Sequence, residues 1–233
     1  MANAETMVLT GTSRGIGRFL AEYYAEKGWN VAGCSREETD FKHPNYRHDR
    51  VDVTASDQVV PWIHSVVKQF GAIDAAINNA GSASMNHSLL TPDETVDRLF
   101  NVNFKGTFLV CREVGKQMQR SRYGRIVNFS SIATSMALEG ESIYAATKSA
   151  VVTFSRAMAR EVATRNITVN VVAPPPIKTD LNREIPDEIM QKLIDRMVIH
   201  RYGEFEDVAN ICDFFIGRDN SMVTGQVITL GGW

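Results

Sequence analysis

The sequence has 233 residues, which is enough for one domain with a substantial hydrophobic core. Hydrophobic residues make up 44% and charged residues 22%, with a net charge of -2, so the composition is globular and offers no global basic field for nucleic acid. Three widely spaced cysteines, no membrane-length apolar run and no secretory pattern at residues 1–6 are typical of a cytoplasmic protein without disulfides or membrane contacts.

Short β-rich runs alternate with longer helical patterns along the chain. Strands are predicted at residues 7–10, 30–34, within 46–53, and at 72–78, 125–131, 167–173 and 226–230. Helices are predicted from the glycines after residue 10 to about 27, at 56–70, from about 91 onward, from 144 to about 164, and at 206–216. This alternation is typical of a parallel sheet covered by helices on both faces. We predict one α/β domain, residues 1–233, with about seven strands.

Two stretches that contain proline interrupt this pattern. Thr91 is followed by Pro92 and, at the third position, by Glu94, which predicts a capping box at the start of a long helix. The run 174–176 is Pro-Pro-Pro, which cannot continue a central strand. The polar, helix-prone residues after it predict a substrate lid at about 177–203.

A glycine-rich loop follows the first predicted strand. Gly11, Gly15 and Gly17 lie at offsets 0, 4 and 6, rather than the 0, 2 and 5 of the usual dinucleotide pattern. Glycines at a strand–helix junction permit a tight turn, and the helix start then presents N–H groups to a pyrophosphate. The loop predicts a dinucleotide site, with a glycine-rich turn that binds nothing as the alternative.

The residues after the second predicted strand bear on the choice of cofactor. A carboxylate there accepts a hydrogen bond from a ribose 2′-hydroxyl, whereas a basic side chain pairs with a 2′-phosphate. Ser35 and Arg36 occupy this position, and Arg14 lies in the glycine loop. They favour NADP(H) over NAD(H), although Glu37 and Glu38 follow directly and argue the other way. The alternative is that Arg36 only caps a surface turn.

Tyr144 and Lys148 are four residues apart on a predicted helix, so they project from one face. An ammonium group beside a phenol lowers the phenol pKa, and Ser131 adds a hydroxyl at the end of a strand. The spacing alone is not diagnostic, because Tyr23 and Lys27 repeat it with no serine strand end before them. We expect that second pair to be a buried tyrosine with a satisfied hydroxyl and a solvated helix lysine. For Tyr144 the alternative is a buried tyrosine with a satisfied hydroxyl.

In this order, and nearly from end to end, the motifs resemble the short-chain dehydrogenase/reductase family, with features of its 3-oxoacyl-acyl-carrier-protein reductases. The resemblance is carried by residues 10–17 (TGTSRGIG), 52–53 (DV), 78–81 (NNAG), 103–106 (NFKG), 130–131 (SS), 144–148 (YAATK), 170–174 (NVVAP), 224–226 (TGQ) and 231–232 (GG).

The resemblance implies a Rossmann-type, doubly wound fold and hydride transfer between NAD(P) and a carbonyl/alcohol pair. It assigns catalysis to Asn103, Ser131, Tyr144 and Lys148. It assigns cofactor contacts to Gly11, Ser13, Arg14, Ile16, Asp52, Val53, Asn79, Tyr144, Lys148, Ile177 and Thr179, to which the strand-end argument adds Ser35 and Arg36. It also implies a homodimer or homotetramer. Arg122 and Arg165 match arginines that meet acyl carrier protein in the reductases of this family.

These assignments predict an NADPH-dependent reductase of a ketone or 3-oxoacyl group, in which Tyr144 is the acid and Ser131 donates to the substrate oxygen. Lys148 would lower the Tyr144 pKa and hold the ribose, and Asn103 would hold a water that passes protons to Lys148. The histidines and cysteines lack metal-ligand spacing, so no metal is expected. Two alternatives stay open, an NAD-dependent alcohol or sugar dehydrogenase working oxidatively and a catalytically silent dinucleotide-binding scaffold.

The sequence departs from the family in two places. After Ala173 and Pro174 the family typically has glycine, whereas Pro175 and Pro176 follow here. The prolines remove a flexible point and a backbone N–H beside the expected nicotinamide. Residues 36–51 are fewer than is usual, which predicts a shortened helix between the second and third strands. We expect the basic stretch within 42–50 to be a solvated loop, and the substrate to meet residues 82–90, 133–143 and the lid.

Overall fold

The computed structural model describes residues 4–180 and 186–232. Its centre is a seven-stranded sheet in the order β3-β2-β1-β4-β5-β6-β7, with every neighbouring pair parallel. The strands are β1 (Thr6–Thr10), β2 (Asn30–Ser35), β3 (Tyr46–Arg50), β4 (Ala75–Asn78), β5 (Gly124–Phe129), β6 (Ile167–Ala173) and β7 (Val227–Thr229). The predicted parallel α/β sheet is confirmed.

Helices pack on both faces of this sheet. They are α1 (Gly15–Glu26), α2 (Ser56–Phe70), α3 (Asp93–Leu99), α4 (Gly106–Ser121), α5 (Ala133–Met136), α6 (Ser142–Val162), α7 (Asp187–Asp195) and α8 (Phe205–Ile216). Successive side chains of β1 point to opposite faces, so Val8 joins the core beneath α2, α4 and α6, while Met7 and Leu9 join the core beneath α1 and α8. Within the described ranges, no helix is long and apolar enough to cross a membrane.

The connection between β2 and β3 contains no helix in the structure, so the predicted shortened helix is wrong. The guanidinium of Arg18 on α1 instead holds this connection, because it donates to the Thr39 hydroxyl at 2.8 Å and pairs with the Asp40 carboxylate. Its cation also lies 5.1 Å from the centre of the Phe41 ring. These side-chain contacts hold the helix-free connection against α1.

The capping box predicted at Thr91 does not form. Helix α3 begins at Asp93, its N-cap is Pro92, and no side chain caps it. The helical path then passes through a π-helical segment, Phe100–Lys105, before α4 begins. Because a π turn shifts the side chains that follow it, this segment determines where Asn103 points.

The triple proline closes the base of the predicted lid. The Pro174 carbonyl accepts from the Ile132 N–H at 3.1 Å, and the Pro176 carbonyl accepts from the Gly203 N–H at 2.9 Å. Ile177 and Gly203 also form an isolated parallel bridge. The predicted lid at 177–203 thus starts and ends at one point and contains α7, while its residues 181–185 lie outside the described ranges.

Candidate active site

The candidate site lies at the carboxyl edge of the sheet, where strand order reverses between β1 and β4. Open parallel sheets bind ligands in the crevice at such a switch point. The glycine loop follows β1, residues 79–81 follow β4, and Ser131 follows β5 closely. The topology therefore brings together motifs that are up to about 120 residues apart in the sequence.

The glycine loop is packed too tightly for side chains at two of its glycines. A Cβ on Gly17 would lie 2.1 Å from the Gly11 carbonyl oxygen, and one on Gly11 would lie 2.8 Å from Nδ2 of Asn79. Gly11 also has a φ of +78°. Asn79 donates through that nitrogen to the carbonyls of Thr10 at 3.1 Å and Gly11 at 3.3 Å, so it braces the loop from β4.

The loop and the start of α1 fit a dinucleotide phosphate. Arg14 is the exposed N-cap residue of α1, and no side chain caps the helix, so its first N–H groups face outward. Opposite them, a Cβ on Gly15 would lie 3.6 Å from Cγ2 of Thr179, which places the predicted contact residue Thr179 across the loop. Ser13 and Ile16, both partly buried, complete this turn.

The end of β2 presents Arg36 to solvent. Ser35 donates to the Glu37 carbonyl at 2.5 Å, and the Arg36 side chain makes no ion pair with any residue the structure describes. The Glu38 carboxylate lies 4.0 Å from Nε of Arg50. One of the two glutamates that argued against NADP(H) is thus drawn toward another cation.

Asp52 and Val53, two of the predicted cofactor contacts, follow β3. The Asp52 carboxylate accepts from the Thr54 N–H at 2.9 Å and from its hydroxyl at 2.8 Å, which fixes the turn before α2. Val53 is buried against α4, where a Cβ on Gly106 would lie 2.7 Å from its Cγ2. Both residues are therefore held at the same sheet edge as the glycine loop.

Tyr144 and Ser131 form the centre of the site. Tyr144 is 8% exposed, and burial raises the pKa of its phenol to about 12, although the neighbouring Ser131 hydroxyl lowers that pKa. The charge of Glu141, one helical turn earlier, raises it slightly further. The Ser131 oxygen also accepts from the Ala133 N–H at 3.2 Å, which leaves its proton for the phenol or a substrate oxygen.

Lys148 lies on the same face of α6, with Nζ 5.9 Å from the centre of the Tyr144 ring. Nζ donates to the Phe129 carbonyl at 3.0 Å, and burial lowers the pKa of the ammonium to about 8. We expected Lys148 to lower the Tyr144 pKa. In the protein alone the Tyr144 pKa moves upward, because burial outweighs the effect of Ser131, and Lys148 is not among the groups that lower it.

Asn103 acts as a clamp between three segments. Its Oδ1 accepts from the Ser82 N–H at 2.8 Å, and its Nδ2 donates to the Ser82 carbonyl at 2.9 Å and to the Thr147 hydroxyl at 3.0 Å. A Cβ on Gly81 would lie 3.3 Å from Oδ1 of Asn103 and 3.4 Å from Nζ of Lys148. These contacts join the loop after β4 to α6, and the water-holding role of Asn103 stays a prediction.

Other predicted residues are placed as follows. Ile177 is buried at the base of the lid. The second Tyr–Lys pair lies elsewhere, on the outer side of α1, where Tyr23 and Lys27 both bond the Asp213 carboxylate on α8, at 2.7 and 2.6 Å. The Tyr23 hydroxyl is satisfied and Lys27 is exposed, as we expected, although Tyr23 is only partly buried. Among the described residues, no group of three His, Cys, Asp or Glu side chains is arranged to hold a metal ion.

The sequence reading missed two contributors to the site. Thr147 links Asn103 to the helix, since its hydroxyl donates to the Tyr144 carbonyl at 2.7 Å. Its position between Tyr144 and Lys148 in the sequence could have indicated this role. His48 contacts both the glycine loop and the turn after β2, and no local pattern singled it out from its basic neighbours.

Comparisons with known proteins agree with this geometry. A family model described as Enoyl-(Acyl carrier protein) reductase matches residues 11–232. The 3-oxoacyl-[acyl-carrier-protein] reductase FabG of Staphylococcus epidermidis is 34% identical over 238 residues, 98% of each chain. Two solved structures superpose closely. ElxO with NADP bound superposes with a TM-score of 0.90 at 30% identity, covering 97% of both chains. Thermoplasma acidophilum aldohexose dehydrogenase superposes with a TM-score of 0.89 at 29% identity, covering 99% of this chain and 94% of that enzyme.

The family match spans nearly the whole chain, and the glycine loop, the residues after β4 and the Ser131–Tyr144–Lys148 group all meet at one edge of the sheet. The chain belongs to the short-chain dehydrogenase/reductase family of oxidoreductases.

Proposed function

We propose that the chain is an NADPH-dependent reductase of a ketone or 3-oxoacyl group. The convergence of Ser131, Tyr144 and Lys148 at the switch-point crevice is the observation that carries the proposal. The 3-oxoacyl reductase named among its relatives and the NADP bound to ElxO support the substrate class and the cofactor.

Each residue has a distinct role in this reaction. The nicotinamide cofactor supplies the hydride chemistry. Tyr144 gives its phenolic proton to the developing alkoxide, and Ser131 donates a hydrogen bond to the same oxygen. Lys148 places a positive charge beside the phenol when protonated. Asn103 and Asn79 keep the loops on either side in place, while Arg14 and Arg36 are available to a 2′-phosphate.

A panel of 3-oxoacyl thioesters and simple ketones, followed by NADPH consumption, tests the proposal. Wild type should reduce at least one of them with NADPH faster than with NADH, and Tyr144→Phe should abolish the reaction while still binding NADPH. Equal inactivity of both proteins on the whole panel, with intact NADPH binding, would favour the scaffold alternative.

The oxidative alternative has one observation in its favour, the close superposition on an aldohexose dehydrogenase. Here the same residues would run in reverse, with Tyr144 accepting the alcohol proton as a phenolate. Reduction of NAD⁺ or NADP⁺ by a panel of aldoses separates the two. Oxidation of a sugar at a higher kcat/KM than any carbonyl reduction would replace the reductase proposal.

The partner proposals extend the same function. Arg122 and Arg165 lie in turns at the ends of α4 and α6, both exposed, where the acidic surface of an acyl carrier protein could meet them. We retain a homodimer or homotetramer as the proposed assembly. The three cysteines, Cys34, Cys111 and Cys212, are all buried free thiols, which suits the proposed cytoplasmic location.

A further inference from the structure

His48 on β3 uses both ring nitrogens to join separate parts of the cofactor crevice. Nδ1 lies 2.9 Å from the Tyr46 hydroxyl and 3.3 Å from the Thr12 hydroxyl, and Thr12 belongs to the glycine loop. Nε2 lies 2.9 Å from the Glu37 carbonyl oxygen and 3.3 Å from the Ser35 hydroxyl. Since a carbonyl can only accept, Nε2 carries the proton, and in the neutral ring Nδ1 accepts.

The fold makes room for this network at Gly33. A Cβ there would lie 2.7 Å from the Thr12 hydroxyl oxygen and 2.7 Å from the ring and hydroxyl of Tyr46. The Tyr46 hydroxyl donates to Thr12 at 2.9 Å directly over this glycine. Gly33 has no positive φ, so backbone conformation does not require glycine. The space above it does.

The same strand holds the next carbonyl of the turn after β2. Nε of Arg50 donates to the Arg36 carbonyl at 3.2 Å, while its charge draws the Glu38 carboxylate to 4.0 Å. Two successive carbonyls, those of Arg36 and Glu37, are thus held from β3. The Arg36 side chain itself is exposed to solvent.

We propose that His48 is a positioning residue for NADPH selectivity: by tying the turn 35–37 to the glycine loop, it presents Arg36 to the 2′-phosphate. The inference rests on the proposed function, since it assumes a phosphorylated adenosine in the crevice. His48 itself touches no phosphate. Its effect is expected in the discrimination between NADPH and NADH, whereas a purely structural histidine would affect both cofactors equally.

The test measures binding, not turnover. Kd values for NADPH and NADH come from nicotinamide fluorescence, and those for adenosine 2′,5′-bisphosphate and adenosine 5′-monophosphate from calorimetry. His48→Phe should weaken NADPH and the bisphosphate about tenfold, the effect of about one lost hydrogen bond. NADH and the monophosphate should change less than about twofold.

Two further variants keep the result interpretable. His48→Gln retains an N–H donor near the Glu37 carbonyl and should recover most of the NADPH selectivity. His64→Phe, on the exposed face of α2, is the matched control and should leave every Kd unchanged. Equal weakening of both cofactors, or an unchanged ratio in His48→Phe, overturns the positioning role.

Failure of the cofactor proposal has a different signature. If wild type binds NADPH and NADH equally, the NADPH preference and the His48 role both fall, while the Tyr144→Phe assay still decides whether the chain is a reductase. If wild type prefers NADPH and His48→Phe keeps the same ratio, only the His48 inference falls.

Discussion

The hydroxyl of Ser131, just after β5, lies beside the phenol of Tyr144 on α6 and lowers its pKa. The two residues are thirteen positions apart in the sequence, and the loop between them returns the chain to the same point. Burial raises the phenol pKa to about 12, so the Ser131 hydroxyl favours ionisation of a group that otherwise resists it.

Ser131→Ala should reduce kcat by about 10²- to 10³-fold, because it removes a donor aimed at the developing alkoxide. It should also raise the Tyr144 pKa further, so that the alkaline limb of the kcat–pH profile shifts to higher pH. Ser130→Ala is the neighbouring control, since that buried hydroxyl donates to the Lys148 carbonyl, at 3.4 Å. An equal loss of kcat in the two variants would show that Ser131 has no specific role in catalysis.

Lys148→Met should abolish activity and yet stabilise the fold near neutral pH. Depression of the ammonium pKa from 10.5 to about 8 disfavours folding by about 3 kcal/mol at low pH. Methionine removes that penalty but also the bond to Phe129, worth about 1 kcal/mol, so a net gain of about 2 kcal/mol is expected.

The pH dependence of this gain has a fixed sign. Below pH 8 the lysine is charged in both folded and unfolded states, so wild type bears the full penalty. Above 10.5 it is neutral in both, and the penalty vanishes. Urea unfolding of both proteins across this range should show the gain shrinking as pH rises. A gain that is constant with pH would place its origin in packing.

Gly17→Ala should destabilise the protein by about 1–3 kcal/mol and abolish dinucleotide binding, because its Cβ would meet the Gly11 carbonyl oxygen. Thermal denaturation and fluorescence titration measure the two effects. Gly115→Ala is the matched helical control, since its Cβ would meet only the flexible end of Met158, at 3.0 Å. A Gly17→Ala protein that binds NADPH normally would contradict the site.

Gly203→Ala should disturb the lid, because its Cβ would lie 2.7 Å from Cγ of Pro175 and 3.3 Å from Ile177. Pro175→Gly should loosen the same contact from the other side. We expect both to change KM or kcat several-fold, since lid motions often limit turnover. Steady-state kinetics measures this, with exposed Pro61→Ala as the control. Unchanged kinetics in both variants would deny the triple proline a role.

Arg122→Glu with Arg165→Glu should raise KM for a 3-oxoacyl group on acyl carrier protein at least about tenfold, because charge reversal repels an acidic partner. The KM for a short thioester analogue should stay the same. Initial rates with both substrates, at two salt concentrations, make the comparison. Identical changes for carrier-bound and free substrates would argue against docking at these arginines.

Much of the fold follows from local pattern. The alternation of β-rich runs with helical patterns predicted the sheet, and the glycines between β1 and α1 predicted the loop. Both signals depend on only a few neighbouring residues, namely hydrophobic periodicity and turn-forming residues. The capping box predicted at Thr91 does not form because α3 begins at Asp93 with Pro92 as its N-cap, so Thr91 lies one residue before the capping position. Sequence similarity, not periodicity, identified Asn103.

The sequence by itself determined that Tyr144 and Lys148 share one face of a helix and that a glycine loop precedes another. Tertiary structure alone decided that burial raises one pKa and lowers the other, that Asn103 clamps Ser82 and that His48 reaches Thr12. Burial and long-range hydrogen bonds depend on which strands become neighbours, and spacing along the chain does not contain that information.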